Sequence, residues 1–325
     1  MNRLLLTLLL ATLSAPAQQP LTQLRELPLI NFDGRIDHMA VDLTQHRLFL
    51  TGIRTNQVLV LDLATGKELH RISGLSEPQG VLFLPASNHL FVTNGGTGNV
   101  NLYDAGTFAL LQTISLKGDA DNIRLDPATG NVLVGYGEGD HSGIAILNQT
   151  GAVTGIIPLI NHPESFQLDP AHDRIYINLP GSDKIVLAQL SSHQLLADYP
   201  AHGNFPMALS PDGRALFTGE RHPGHLAQYN TETGKLTVSL PLADDCDDLF
   251  LDPATHRLFA TSGSGAISLF TLDSHDHLTP ANPIPTAPGA RTSLLIPDLH
   301  QFLVAAPAAG SRPARILVFQ IEPAH

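Results

Sequence analysis

The sequence predicts an all-β fold, a seven-bladed β-propeller of four-stranded antiparallel blades. Three observations predict it. One short motif, an apolar stretch followed by a turn and an apolar triplet, recurs seven times at nearly constant spacing. Each copy contains four strand-like runs, which is the content of one propeller blade. The 27 Gly and 24 Pro residues of this 325-residue chain favour short strands joined by tight turns over long helices.

The repeat is defined by one residue in the turn between the first two runs of each copy, and we call these residues the anchors. They are Leu43, Pro85, Pro127, Pro170, Pro211, Pro253 and Pro297. Successive anchors are 42, 42, 43, 41, 42 and 44 residues apart. The spacing predicts one propeller domain over residues 18–325, with blades at about 35–76, 77–118, 119–161, 162–203, 204–243, 244–287 and 288–325.

The second copy shows the four runs of a blade. They are Gly80-Val81-Leu82-Phe83, Leu90-Phe91-Val92, Val100-Asn101-Leu102-Tyr103 and residues 110–116. The second run is apolar throughout in several copies, as in Leu48-Phe49-Leu50. A strand that is apolar on both faces is covered on both faces, so we expect each blade to be packed between its neighbours.

The last copy lacks one strand. It ends with a third run at Phe319, and the missing outer strand can come from residues 24–30, which precede the first copy. Pairing the two ends of the chain closes the ring and leaves no exposed strand edges there.

Residues 1–17 have the features of a secretory signal peptide. Arg3 gives a short positive region, Leu4 to Leu13 an apolar region, and Ala15-Pro16-Ala17 a small-residue cleavage signal. About ten apolar residues are too few to span a bilayer. We therefore expect cleavage after Ala17 and a periplasmic or secreted protein with no membrane span.

Charge and cysteine content narrow the classes of function. The chain has 18 Lys and Arg against 30 Asp and Glu, a formal net charge of −12. This balance argues against a nucleic-acid partner, which needs a basic surface. Cys246 is the only cysteine, so no internal disulfide forms, and we expect a small buried residue there. We expect a monomer.

Several short segments resemble a known repeat family. Leu90-Phe91-Val92-Thr93-Asn94, followed by Asn99-Val100, resembles the YVTN-type (YncE-like) β-propeller repeat. Thr65-Gly66-Lys67 and Ser210-Pro211-Asp212-Gly213 are similar to its other turns. The resemblance implies a propeller over nearly all of the mature chain. It implies mainly binding or scaffolding roles, although such propellers also host enzymes.

Two faces of the predicted propeller differ in their polar residues. The anchor turns carry five histidines, for which we predict a solvated or turn-capping role: His46, His89, His172, His256 and His300. The opposite face holds the loops that lead into the innermost strands, and these loops converge on the mouth of the central channel. Six residues before the anchors stand Asp37, Gln79, Asp121, Glu164, Phe205, Asp247 and Arg291.

This ring of equivalent positions is the candidate ligand-binding site. Four of its seven members are carboxylates, and its predicted neighbours are His38, Asn122, Asn204 and Asp248. Gathered carboxylates repel one another unless a cation compensates them. A divalent cation could bind through Asp121, Asn122, Glu164, Asn204 and Asp247, and these oxygen donors favour Ca²⁺ or Mg²⁺ over Zn²⁺. Histidine together with carboxylates would also suit Zn²⁺, Mn²⁺ or Fe²⁺. Alternatively, the carboxylates are merely solvated or pair with Arg124 and Arg291.

Two classes of function remain open from the sequence. The first is an exported propeller that binds a small molecule, a cation or a periplasmic protein at the acidic mouth. The second is a metal-dependent hydrolase or lyase, by similarity of position to gluconolactonase-like propellers. Its catalytic candidates are His38, His162 and Arg291. The chain has no Gly-x-Ser-x-Gly or His-Glu-x-x-His motif, which favours the first class.

Overall fold

The computed structural model describes residues 19–139 and 141–323, and these residues form seven separate antiparallel sheets. The signal peptide predicted for residues 1–17 lies outside the described residues. The sheets follow one another along the chain, and the first strand of a blade contacts the first strand of the next at most steps, as β2 contacts β6 and β6 contacts β10. Blades 3 and 4 are joined by a shared apolar cluster that includes Ile144 and Phe166. The circle closes because β27, the first strand of the last blade, contacts β2, the first strand of the first blade. The predicted seven-bladed β-propeller is confirmed.

The first four blades are regular. Blade 1 consists of β2 (Ile36–Asp42), β3 (Arg47–Gly52), β4 (Gln57–Asp62) and β5 (Glu68–Ile72). Blade 2 consists of β6 (Pro78–Leu84), β7 (His89–Asn94), β8 (Asn99–Asp104) and β9 (Leu110–Ser115). Blade 3 consists of β10 (Asp119–Leu125), β11 (Val132–Glu138), β12 (His141–Leu147) and β13 (Val153–Leu159). Blade 4 consists of β14 (Phe166–Asp169), β15 (Arg174–Leu179), β16 (Lys184–Gln189) and β17 (Leu195–Pro200).

The last three blades complete the circle. Blade 5 consists of β18 (Asn204–Leu209), β19 (Ala215–Arg221), β20 (Gly224–Asn230) and β21 (Leu236–Pro241). Blade 6 consists of β22 (Cys246–Asp252), β23 (Arg257–Ser262), β24 (Ala266–Leu272) and an outer strand in two pieces, β25 (Leu278–Pro280) and β26 (Ile284–Pro285). Blade 7 consists of β27 (Thr292–Ile296), β28 (Gln301–Ala306), β29 (Arg315–Ile321) and β1 (Leu21–Pro28).

The first and last strands of the described residues pair in blade 7. Strand β1 pairs antiparallel with β29, from Leu21 opposite Ile321 to Pro28 opposite Arg315. The strand begins earlier than residues 24–30, where the sequence analysis placed it. Leu21 and Leu27 are almost completely buried. The first strand of the chain is thus the outer strand of the last blade.

Apolar packing lies between blades. All six residues of β3 are buried, and the second strands of the other blades are almost as apolar and inaccessible. The outer strands are mostly exposed, and in β9, for example, Ile114 is the one buried residue. Burying a leucine or valine side chain stabilises the fold by roughly 1.5–3 kcal/mol. The middle strands therefore hold the ring together, and the outer strands cover it.

The anchor turns use a left-handed residue. In every blade one residue near the anchor has positive φ: His46, Asn88, Gly130, Asp173, Gly213, His256 and His300. Glycine, asparagine, aspartate and histidine adopt this conformation more readily than β-branched residues do. Three of the five anchor-turn histidines, His46, His256 and His300, take this left-handed position themselves. His172 is half exposed and hydrogen-bonds to Asp169 in its own turn, which fits the predicted solvated or turn-capping role.

In several blades, a polar side chain eight residues after the anchor hydrogen-bonds to a backbone carbonyl of the next blade. Thr51 Oγ1 donates to the Gln79 carbonyl at 2.6 Å, Thr93 Oγ1 to Asp121 at 2.7 Å, and Thr261 Oγ1 to Arg291 at 2.6 Å. Asn178 occupies the same position and donates to the Asn204 carbonyl at 3.1 Å. These bonds hold the loops that lead into the channel. No helix within 19–139 or 141–323 has the length and apolar character needed to cross a membrane.

Candidate functional site

A cavity of about 260 Å³ occupies the channel, and its polar lining comes from most of the blades. Its lining includes five carboxylates, which belong to Asp37, Asp121, Glu164, Asp247 and Asp248. It also includes three arginines, Arg35, Arg124 and Arg221, together with His38, Asn122 and Phe205. The channel is therefore acidic, as predicted, but it carries guanidinium groups as well.

Asp121 is the central carboxylate of the site. It lies on β10 where the pairing with β11 shifts register between Ala120 and Ile123, and such an irregularity re-aims side chains. Donor atoms of Asp121, His162 and Glu164 all lie within 4.8 Å of one another. His162 Nε2 is 3.9 Å from Asp121 Oδ2. We call these three residues the Asp121 cluster.

Two atoms of the Asp121 cluster are buried and lack hydrogen-bond partners among the described residues. They are Asp121 Oδ1 and His162 Nδ1. A buried polar atom without a partner costs about 1–3 kcal/mol. Native proteins keep few such atoms, and a bound ligand or ion can satisfy them.

Burial and mutual repulsion shift the titration of the cluster. Burial raises the pKa of Glu164, and the charge of Asp121 raises it further. Burial would lower the pKa of His162, but the interaction with the nearby Asp121 carboxylate and the charge of Glu164 outweigh it, so the pKa is raised. The cluster therefore disfavours the ionised form of Glu164 and favours a positive charge on His162, which is the electrostatic preference of a cation site.

A second set of donors shares Asp121 but is already engaged. Donor atoms of Asp37, His38 and Asp121 also lie within 4.8 Å of one another. However, Arg35 binds Asp37 at 2.7 Å, and His38 Nδ1 lies 3.3 Å from Asp37 Oδ2. His38 Nε2 is 3.2 Å from the amide nitrogen of Asn122. Both ring nitrogens of His38 thus have neighbours, unlike those of His162.

The protonation of His38 is tied to these neighbours. Burial opposes its charge, but the hydrogen bond to Asp37 and the charges of Asp37, Asp121 and Asp248 raise the pKa of His38 to about 9. An imidazolium donates from both nitrogens, so it requires the oxygen of the Asn122 amide rather than the nitrogen. Rotation of that amide and protonation of His38 are therefore coupled.

Asp247 is surrounded by guanidinium groups. Arg35 lies 3.4 Å from its carboxylate, Arg291 Nε also 3.4 Å, and Arg221 hydrogen-bonds to it directly. The Arg221 guanidinium carbon stacks 3.8 Å from the centre of the Phe205 ring. Three cations neutralise this carboxylate, so it is poorly suited to bind a metal, although the sequence analysis counted it as a ligand.

The structure does not bring every predicted residue to the cavity. Asn204 is fully buried, its amide donates to the Ala201 carbonyl at 2.7 Å, and it does not line the cavity. Gln79 donates to Asp119 at 2.7 Å. Arg291 binds Asp245 through two contacts of 2.8 Å. Neither Gln79 nor Arg291 lines the cavity.

Asp248 and Cys246 lie beside one another on β22. Asp248 lines the cavity, accepts the Ser293 amide proton at 2.6 Å, and has its pKa raised to about 6, chiefly by burial. Cys246 is fully buried, as predicted, and burial raises the pKa of its thiol to about 12. A thiol that stays protonated is a poor nucleophile and a poor metal ligand.

The sequence analysis missed Arg35, Arg221 and the threonines of the site. Arg35 stands two residues before Asp37 and Arg221 lies at the end of β19, so neither occupies an aligned ring position. The polar residues Thr51, Thr93, Asn178 and Thr261 share one repeat position at the end of an otherwise apolar run. A polar residue that recurs at one position of an apolar strand is the sequence pattern that could have identified these residues.

Comparisons with known proteins support the propeller resemblance. No protein-family model matches the chain. The chain is 33% identical over 76 residues to "Uncharacterized protein YncE" of Salmonella typhimurium (strain LT2), and 32% identical over 76 residues to its counterpart in Salmonella typhi. Each match covers 23% of this chain and 21% of the relative, so the chain spans about a fifth of the length of these curated relatives.

A solved structure shows the same fold over most of the chain. "Kuenenia stuttgartiensis Hydrazine Synthase" superimposes with a TM-score of 0.74 and 15% sequence identity, covering 88% of this chain and 96% of that one. At this identity the likeness concerns the fold alone.

Proposed function

We propose that this chain is a binding propeller that holds a divalent cation at its channel mouth, with Asp121, His162 and Glu164 as protein ligands. The observation that carries the proposal is the Asp121 cluster, whose donor atoms lie within 4.8 Å of one another. Asp121 Oδ1 and His162 Nδ1 are buried without partners among the described residues, and a cation would relieve the repulsion between Asp121 and Glu164.

The donor set favours a first-row transition ion. One imidazole nitrogen with two carboxylates suits Zn²⁺ or Mn²⁺, whereas Ca²⁺ and Mg²⁺ take oxygen ligands. The preference for Ca²⁺ or Mg²⁺ in the sequence analysis rested on a donor set of oxygen ligands without His162. Two members of that set are poorly placed, because Asn204 does not line the cavity and Asp247 is paired with arginines. We therefore propose Zn²⁺ or Mn²⁺ in their place.

A titration of the full chain tests this proposal. Protein stripped with EDTA should bind about one Zn²⁺ or Mn²⁺ per chain in calorimetry, and its melting temperature should rise on loading. A ligand at one hundred times its Kd stabilises the native state by about 2.7 kcal/mol. Asp121→Asn and Glu164→Gln should each remove binding while preserving the circular dichroism spectrum.

The matched control is Glu232→Gln, which alters an exposed carboxylate in the turn between β20 and β21. It should bind the cation as the unaltered chain does. Stripped protein that takes up neither ion and shows no change in melting temperature would contradict the proposal.

A second candidate, a metal-dependent hydrolase or lyase, is favoured by one observation. His38 lines the same cavity, and its pKa of about 9 makes it an acid at neutral pH, able to protonate a leaving group. A bound divalent cation would supply carbonyl polarisation. Arg291 is a weaker catalytic candidate, because Asp245 and Asp247 hold it outside the cavity.

Turnover separates the two candidates. Lactones and polyuronides incubated with cation-loaded protein should be consumed if the chain is an enzyme, and His38→Gln should then abolish turnover without weakening cation binding. No turnover, with cation binding intact, supports the binding protein. The proposal places this activity in the periplasm or outside the cell, following the predicted signal peptide.

A further inference from the structure

We infer that the channel binds a small organic carboxylate below the cation, with Arg124 as its main partner. This inference rests on the proposed cation site, because the cation supplies the charge balance that admits an anion. One guanidinium group inside the cavity makes few contacts with the described residues of the protein.

Arg124 is the unused group. Its Nε donates to the Phe166 carbonyl at 2.6 Å, and its guanidinium carbon lies 5.7 Å from the centre of the Phe166 ring. Its two terminal nitrogens have no hydrogen-bond or ion-pair partner in the part of the chain that the structure describes. Arginine has five N–H donors in a planar fork, so four of them remain available to a ligand.

The environment of Arg124 disfavours an unpaired charge. Burial lowers its pKa, and the charge of Asp248 opposes this effect only in part. The other two arginines of the cavity, Arg35 and Arg221, already bind carboxylates of the protein. Arg124 differs from them because no carboxylate lies within ion-pair distance in residues 19–139 and 141–323. A bound anion would provide that partner.

The position of Arg124 defines where the ligand lies. Arg124 and Asp121 are on the same strand, β10, three residues apart. A strand rises about 3.3 Å per residue, so Arg124 lies up to about 10 Å deeper in the channel than Asp121. A carboxylate on Arg124 would leave the rest of a small molecule directed toward the cation.

The charge of the cavity explains why the cation must bind first. Its lining holds three arginines and five carboxylates, and with His38 protonated, as its pKa of about 9 implies, the net formal charge is −1. A divalent cation makes the net charge +1. An anion is therefore repelled from the cation-free channel and admitted to the loaded one.

Size and charge indicate the class of ligand. The cavity of about 260 Å³ lies just below the roughly 300–1,000 Å³ of typical small-molecule sites, so it suits a small metabolite. The arginine fork matches both carboxylates and phosphates. A phosphate carries about −1.5 to −2 charges at neutral pH, so the nearby Asp248 repels it more strongly than a carboxylate.

Succinate is a suitable probe, and succinamide is its neutral counterpart. Zn²⁺ is first titrated into each stripped protein, and succinate is then titrated into the Zn²⁺-loaded protein, with succinate into Zn²⁺ buffer as the blank. We expect succinate to bind the loaded chain at least tenfold more tightly than the stripped chain, and succinamide not to bind.

The Arg124→Gln variant should bind succinate at least tenfold more weakly, with Zn²⁺ affinity within twofold of the unaltered chain. Arg124→Lys keeps the charge without the fork, so its affinity should be intermediate, and it serves where the first variant fails to fold. Arg214→Gln is the matched control, an exposed arginine paired with Asp212 in an anchor turn.

The outcomes separate the inference from the proposed function. Zn²⁺ binding without succinate binding overturns the inference and leaves the cation site standing. Equal succinate affinity with and without Arg124, or tighter binding of phosphate than of succinate, also overturns it. Failure of both Zn²⁺ and Mn²⁺ to bind the stripped protein overturns both.

Discussion

At the scale of single residues, Asp248 shows the cost of keeping charge inside the channel. Its carboxylate accepts one backbone proton, from Ser293, and lies in a buried environment that raises its pKa to about 6. His38 and Arg124 lower that pKa, but Asp37 raises it. Ionised Asp248 is therefore a source of instability at neutral pH, which is common where side chains serve binding rather than folding.

Asp248→Asn should stabilise the protein above pH 6. The folded pKa of about 6 exceeds the ordinary value of 3.8, so the folded state holds the proton more tightly. Stability consequently falls as pH rises from about 4 to 6, and the loss is complete above pH 6. Two pKa units correspond to about 3 kcal/mol, which is the upper limit for the gain. The side-chain oxygen of asparagine can still accept the Ser293 amide proton, so this hydrogen bond is kept in the variant.

Urea unfolding at pH 4 and at pH 7.5 measures this effect. The variant should exceed the unaltered chain by about 1–3 kcal/mol at pH 7.5, and the two should converge at pH 4. Asp298→Asn, an exposed change in an anchor turn, should differ little at either pH. A variant less stable than the unaltered chain at pH 7.5 would show that ionised Asp248 is stabilised by its neighbours.

Sequence reasoning located some of these residues and missed others for a geometrical reason. The anchor spacing aligned Asp37, Asp121 and Glu164 correctly, because equivalent residues of a repeat occupy equivalent places. It could not show that Asn204 turns its amide to the Ala201 carbonyl. Nor could it show that Arg124 faces the channel, since side-chain direction depends on the register shift within β10.

At the scale of strands, the end of each second strand positions the loop of the next blade. Thr93, at the end of β7, accepts the Gly80 amide proton at 2.7 Å and donates to the Asp121 carbonyl at 2.7 Å. A Cβ on Gly80 would lie 2.4 Å from that same carbonyl oxygen, so only glycine allows the approach. The position of Asp121 thus depends on a contact between blades 2 and 3.

Thr93→Val should weaken the cation site from outside it. Valine has the shape of threonine but leaves the Asp121 carbonyl and the Gly80 amide without their partner, at a cost of about 1–3 kcal/mol in stability. Groups that orient ligands typically change metal affinity by about 10–100-fold. We therefore expect at least a tenfold loss of Zn²⁺ affinity, measured by calorimetry on folded protein.

Thr261→Val provides the comparison, because Thr261 makes the equivalent bond to the Arg291 carbonyl, away from the Asp121 cluster. It should lose similar stability and keep its Zn²⁺ affinity within twofold. Equal losses of affinity in both variants would mean that general destabilisation, rather than the placement of Asp121, controls binding.

The strands themselves were predictable to different degrees. Middle strands are apolar on both faces, so β3 and β7 were evident from the sequence. Outer strands carry mixed exposed residues and give a weak signal. In blade 6 the outer strand divides into β25 and β26, with prolines at positions 280, 283 and 285. Proline lacks the amide proton of a strand ladder, which accounts for the division.

At the scale of the whole molecule, the ring depends on the pairing of its two ends. Strand β1 supplies Leu27, which packs in one apolar cluster with residues of blades 1 and 7 such as Leu48 and Leu303. The adjoining turn is equally close, because a Cβ on Gly66 would lie 2.7 Å from Leu27 Cβ. A single short strand therefore couples the start of the chain to two blades.

Leu27→Ala should destabilise the whole propeller. Removing a buried leucine side chain costs about 2–5 kcal/mol, and Leu27 is only 2% exposed. The same change at Leu69, also on an outer strand but 49% exposed, should cost about 0.5 kcal/mol or less. Urea unfolding followed by far-ultraviolet circular dichroism measures both. Because closure links every blade to its neighbours, the Leu27 variant should also expose strand edges and aggregate on partial unfolding. Equal stability of the two variants would mean that the ring holds together without β1.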